Sequence, residues 1–163
     1  MFPLERDELA TAVGEALVAR GARVAVVETT AGGLISARLL SVPGASRWFE
    51  RGIVAYTRHA KQDVSERAGA ILAEHGAVSA ELVTELAERI RERTGVSYTV
   101  AESGIAGPRD GRRSTKPVGS VVIAVASPQG TRIEEHVFAG TRVRVMTQIA
   151  QRSLEMLREV IEG

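Results

Sequence analysis

The run Val24-Ala25-Val26-Val27 sets the first constraint on the fold. It is short, continuous and apolar, so it reads as a strand buried on both faces, as in a sheet covered by helices on both sides. Before it, Leu9, Val13, Ala16 and Leu17 recur at helical spacing and Gly21 offers a C-terminal stop. This predicts a helix from about Pro3 to Arg20. After it, a second helix is expected from about Gly33 to Leu40, ending before Pro43-Gly44.

The same reading gives a strand over Gly52–Tyr56 and a helix over Arg58–Ala68. A longer helix is capped by Ser79, carries a Leu82, Leu86 and Ile90 stripe with a Val78–Val83 staple, and ends at Gly95. Tyr98–Ala101 is a strand, followed by a glycine-bearing loop over Ser103–Gly119. Ser120–Ala126 and Arg132–Phe138 form a hairpin around Pro128-Gln129-Gly130. A last helix over Val143–Ile161 buries Met146, Ile149, Ala150, Leu154 and Leu157. Helices interleaved with apolar strands predict a three-layer α/β/α sandwich with a mixed, mostly parallel sheet and a late hairpin. The 163 residues are expected to form one domain, 1–163, large enough for a real core.

Lys plus Arg is 21 and Asp plus Glu is 20, a net charge of +1, which argues against nucleic acid as the main partner. The absence of cysteine excludes thiol catalysis and a thiolate zinc site. His59, His75 and His136 are scattered, so no histidine metal site is expected. No stretch approaches the ~18 apolar residues of a membrane span. The charged N-terminal segment lacks a signal-peptide core, so a cytoplasmic location is expected.

Four segments carry possible chemistry. Glu28-Thr29-Thr30-Ala31-Gly32-Gly33 follows a buried strand and opens a helix. Its glycines leave backbone N–H groups open at a helix start, and its hydroxyls put a nucleophile beside an oxyanion site. Read blandly, it is a tight turn with a threonine cap. The spaced glycines of the dinucleotide-binding fingerprint are missing. Tyr56 at a strand end precedes Lys61 by five residues. A partly desolvated lysine can act as a base near neutral pH, with the phenol relaying a proton. The bland alternative is a surface lysine and a half-buried tyrosine. Ser103, Gly104 and Gly107 end another strand, and the long loop after them is made basic by Arg109, Arg112, Arg113 and Lys116; Arg112 and Arg113 read as solvated. Arg142, entering the last helix, can clamp a phosphate or carboxylate or simply sit at the surface. Thr29, Tyr56, Lys61 and Ser103 are expected to line one crevice, because ligands of open α/β sheets bind outside the carboxyl ends of strands.

Taken in order, these segments resemble the C-terminal domain of the competence/damage-inducible protein CinA, a family that includes stand-alone nicotinamide-nucleotide amidases. The resemblance rests on Glu28, Gly32 and Gly33; Val54-Ala55-Tyr56 with Lys61; Gly104-Ile105-Ala106-Gly107-Pro108; Lys116-Pro117-Val118-Gly119; and Gly140 with Arg142. It implies hydrolysis of the amide of nicotinamide mononucleotide to nicotinate mononucleotide and ammonia. Thr29 would be the nucleophile, Lys61 the base and Tyr56 its helper. Backbone N–H groups near Gly32 and Gly33 would hold the oxyanion. Glu28, Ser103, Gly104 and Arg142 would bind substrate, with no metal or organic cofactor. The partner implied is a small nucleotide, with neither nucleic acid nor membrane, and a homodimer is compatible with it.

The chain departs from the family pattern where the chemistry sits. Thr29 stands for the family serine, Ala31 for a threonine, Ser103 for a threonine and Met146 for an arginine, and Arg109-Asp110-Gly111 replaces a glycine run. The methyl of Thr29 restricts χ1 and crowds the attack path. The alternative is therefore a catalytically degenerate nucleotide-binding module of the same fold; a third reading is a hydrolase of another small amide or ester. Both Thr29 and Ala31 are expected to lie in the turn, outside the core.

Overall fold

The computed structural model describes residues 5–109, 111 and 114–163. The Pro3 start expected for the first helix, and Asp110, Arg112 and Arg113, lie outside them. The strands are β1 (Val24–Glu28), β2 (Phe49–Val54), β3 (Tyr98–Gly104), β4 (Ser120–Ser127) and β5 (Gly130–Val137). The helices are α1 (Glu8–Ala19), α2 (Leu34–Leu40), α3 (Arg58–Val64), α4 (Ala68–His75), α5 (Ala80–Thr94) and α6 (Arg142–Glu162).

The sheet runs β2-β1-β3-β4-β5. β1 pairs in parallel with β2 and β3, and the β3–β4 and β4–β5 pairs are antiparallel. Parallel and antiparallel pairs are thus equal in number, which corrects the mostly parallel sheet expected. The hairpin adds one antiparallel pair, and β4 adds another by returning alongside β3.

Side-chain alternation splits the interior into two layers. Val24, Val26, Val100, Ile123 and Val125 pack with Val13 and Leu17 of α1, Ile35 and Leu39 of α2, and Ile149, Leu154 and Leu157 of α6. Ala25, Val27, Ala101, Val122 and Ala124 pack with Val64, Ala68, and Leu82, Leu86 and Ile90 of α5. The result is the α/β/α sandwich. Among the described residues, no helix is long and apolar enough to cross a membrane.

Several boundaries move for identifiable reasons. Asp7 caps α1, its side chain accepting from the Ala10 amide at 3.0 Å, so the helix begins at Glu8. β2 is an edge strand with an exposed outer half, and its pairing with β1 places it at Phe49–Val54 rather than Gly52–Tyr56. The single helix expected over Arg58–Ala68 breaks at Ser65, which is extended and donates its hydroxyl to Glu85 at 2.6 Å; α4 then continues to His75. Ser79 caps α5 and left-handed Gly95 closes it, as the sequence predicts.

Candidate functional site

The site forms at the carboxyl ends of the three parallel strands. β1 lies between β2 and β3, so the chain leaves β1 toward one neighbour and later returns on the other side. That switch point is where open α/β sheets bind ligands. The turn from Thr29 to Gly33 sits on it.

Two buried carboxylates hold this turn from below. Glu28 ends β1, is fully buried, and accepts from the amides of Gly33 (3.0 Å), Ile35 (3.0 Å) and Ser36 (2.8 Å), and from the Ser36 hydroxyl (2.7 Å). It thereby caps α2, whose N-cap Gly33 has φ +100°, a conformation that favours glycine. The anion position at this helix start is filled by the protein's own carboxylate. Glu28 is therefore a structural cap rather than a substrate contact, and the Gly33 amide is not open to an oxyanion; both expected roles are corrected. The Gly32 amide has no acceptor among the described residues.

Glu102 is the second carboxylate. It lies in β3, is fully buried, and its Oε1 accepts from the amides of Thr29 (2.7 Å) and Ala31 (2.9 Å). Burial pushes its carboxyl up to about 7, against the pull of the Ala31 and Thr29 amides and with a further push from the Glu28 charge. Sequence reading missed Glu102. A glutamate at a strand end looks like a solvated terminus, and only β4 and β5 beyond β3 turn that end inward.

The threonine hydroxyls bind β3 as well. Thr29 Oγ1 donates to the Glu102 carbonyl at 3.0 Å. Thr30 Oγ1 donates to the Gly104 carbonyl at 2.9 Å and accepts from its amide at 2.8 Å. A Cβ on Gly104 would sit 2.7 Å from the Ser120 carbonyl oxygen, so only glycine permits this close approach.

Above the turn lies a cleft of ≈ 960 Å³, lined by Thr30, Tyr56, Gly104, Arg109, Lys116 and Arg142 among others. Arg142, at the start of α6, donates to the Gly107 carbonyl at 2.8 Å and to the Tyr56 hydroxyl at 3.1 Å. Lys116 donates to the Val78 carbonyl at 2.5 Å and so joins the loop after β3 to the segment before α5.

Of the four residues expected to line one crevice, only Tyr56 does. Thr29, Ser103 and Lys61 are buried, at 3%, 2% and 5% exposure. β3 runs on to Gly104, and Thr30 and Gly104, bonded to each other, line the cleft where Thr29 and Ser103 do not; Lys61 is buried on α3 against the Tyr56 main chain. The structure still gathers them at one end of the sheet. Lys61 Nζ donates to the Tyr56 carbonyl at 2.7 Å. Burial holds the Lys61 pKa below the ordinary lysine range, opposed by the charge of Glu102, the same residue that grips Thr29. Ala31 is also fully buried, within the α1/α2/α6 layer, which corrects its expected place outside the core.

The family model of the CinA C-terminal domain matches residues 6–161. The chain belongs to the CinA C-terminal domain family. A CinA-like protein of Anaeromyxobacter dehalogenans (strain 2CP-C) is 44% identical over 158 residues, covering 97% of this chain and 38% of that protein. A putative competence-damage inducible protein of Desulforamulus reducens is 36% identical, covering 100% and 39%. This CinA domain thus spans under two fifths of the length of these curated relatives. The crystal structure of competence damage-inducible protein A from Klebsiella pneumoniae superposes with a TM-score of 0.90 at 31% identity, covering 96% of each chain. In this CinA domain the Met146 methyl lies 3.2 Å from where a Cβ on Gly32 would be, so α6 roofs the turn with a thioether.

Proposed function

We propose that this CinA domain hydrolyses the amide of nicotinamide mononucleotide, giving nicotinate mononucleotide and ammonia. The observation that carries the reading is Lys61. A lysine buried at the strand ends, its proton loosened by burial, sits against the Tyr56 main chain and feels the charge of Glu102, which holds the Thr29 amide, while Arg142 and Lys116 line the cleft. A base with a lowered pKa beside a nucleophile is what acyl transfer requires.

In this reading Thr29 attacks the amide carbon and its proton passes to Lys61. The tetrahedral oxyanion meets the Gly32 amide, and Lys61 returns the proton to the departing ammonia. Water then hydrolyses the acyl-enzyme. Arg142 and Lys116 attract the nucleotide phosphate, and Tyr56 orients Arg142 at the rim. Attack requires the Thr29 hydroxyl to leave the Glu102 carbonyl and Thr30 to admit the substrate.

That engagement of both hydroxyls favours a second reading, a nucleotide-binding module of the same fold without turnover. Ammonia release from nicotinamide mononucleotide by the purified protein, with calorimetric titration of the same nucleotide, separates the two. Release with a Lys61-dependent rate supports the amidase. Binding without release supports the module. Neither binding nor release rejects this substrate.

A further inference from the structure

Glu102 is a fully buried acid inside a β-strand, and the proposed chemistry gives it no part. Its Oε1 gathers the amides of Thr29 and Ala31, the residues on either side of Thr30, while its main-chain carbonyl takes the Thr29 hydroxyl. Its Oε2 is buried with no hydrogen-bond partner among the described residues. An unpaired buried carboxylate oxygen costs enough that it persists only where the surroundings fix it or where it carries a proton. A hydrophobic side chain would pack here without that cost, since Ile123 of β4 is its cross-strand neighbour and Val145 and Ile149 of α6 face this layer.

We propose that Glu102 is a positioning residue of the site: its carboxyl sets the conformation of the Thr29–Ala31 turn, and its protonation state determines how tightly the turn is held. The ionised form grips the two amides through charge-assisted hydrogen bonds, about twice as strong as neutral ones. The protonated form leaves a neutral acceptor and a looser turn. Its pKa near 7 puts this change inside the physiological range. The charged groups that act on it are Glu28, at the end of β1, and Lys61, on α3. The facing residues of β4 and α6 are apolar. Glu28 favours the proton on Glu102 and Lys61 opposes it, so the turn and the buried lysine are linked through one carboxyl.

The proposal rests on the amidase reading only for its kinetic arm. Its primary test follows the Thr29 and Ala31 amide signals and the Glu102 carboxyl carbon by NMR in the whole protein, from about pH 5 to about pH 8.5. In the wild type all three are expected to share one inflection near 7. In Glu102→Gln, which keeps an acceptor but cannot titrate, the amide inflection should vanish. In Glu102→Val the two amides should exchange with solvent roughly tenfold faster or more, the loss expected for one unmade buried bond. With nicotinamide mononucleotide as substrate, Glu102→Gln should flatten the pH dependence of kcat near 7 while KM stays within about threefold, as expected of a group that acts through the turn rather than on the substrate. An amide inflection that survives in Glu102→Gln, or wild-type amides that do not follow Glu102, overturns the proposal. If Glu102→Val does not fold, the glutamine comparison still decides. If the wild type releases no ammonia, the amidase reading fails while the NMR result stands alone.

Discussion

Lys61 Nζ donates to the main-chain carbonyl of Tyr56 at 2.7 Å, while the Tyr56 hydroxyl receives Arg142 at 3.1 Å. One tyrosine thus links the buried lysine to the arginine at the cleft rim, through two different atoms. The lysine is held by backbone and does not depend on the phenol for its place.

Lys61→Met should therefore remove the base without emptying its site. The unbranched side chain fills the stem's volume, so the fold should persist, with the Tyr56 carbonyl losing one donor. Amidase turnover should fall by about 10²–10⁴, the usual loss for a general base. Turnover equal to wild type would make Lys61 a structural clasp for the segment after β2.

Arg142→Ala is expected to act on binding. Its guanidinium is at the cleft rim, with one nitrogen on the Gly107 carbonyl and another on Tyr56. Removing a charged hydrogen-bonding partner typically costs ~1.5–3 kcal/mol. Calorimetry should thus show nicotinamide mononucleotide binding weakened by roughly 10- to 100-fold. Tyr56→Phe should weaken it less, because Arg142 keeps its bond to Gly107. Unchanged affinity in Arg142→Ala would move the phosphate site elsewhere, Lys116 being the next cation in the cleft.

Glu102 also predicts a pH dependence of stability. Its folded pKa, about 7, is raised above the ordinary 4.5, so between these values the folded state binds more protons than the unfolded state. Stability from this group therefore falls as pH rises from about 4.5 to about 7. Glu102→Gln, which has no charge to bury, should gain on the wild type at pH 8 by on the order of 3 kcal/mol at most, and by much less at pH 5. Chemical denaturation at the two pH values measures both. A difference that grows toward pH 5 would show that the buried group is ionised there.

The sequence exposes the fold wherever local chemistry and tertiary demand agree. Val24 to Val27 reads as a buried strand and is one, and Ser79 and Gly95 bound α5 by capping alone. It conceals what depends on neighbours. β2 is bounded by its pairing with β1, and the break at Ser65 depends on Glu85 from another helix. At the site, Tyr56, Gly104 and Arg142 could be placed from strand ends and a helix start. The roles of the two acids could not. Glu28 and Glu102 look alike as polar strand ends, yet one caps α2 and the other grips the turn, because the amides each meets come from the fold of the turn itself.

Thr29→Ser removes one methyl beside the hydroxyl that donates to the Glu102 carbonyl. Serine can keep that bond and also rotate away from it, because it lacks the β-branch that stiffens χ1. Thr29→Ser alone should therefore raise amidase turnover with a stability change within about 1 kcal/mol. Ala31→Thr is different. Ala31 is fully buried in the layer with Ile35, Val145 and Ile149, so the added methyl and hydroxyl enter filled space. Overpacking of this kind typically costs about 1–3 kcal/mol, and a hydroxyl without a partner adds to it. The double variant should thus melt below Thr29→Ser, and should exceed it in turnover only if the new hydroxyl finds an acceptor in the turn. Ammonia release and melting temperature, measured on the two variants together, test the account. If Thr29→Ser lowers turnover, the threonine is the nucleophile this pocket is shaped for, and the methyl helps hold it.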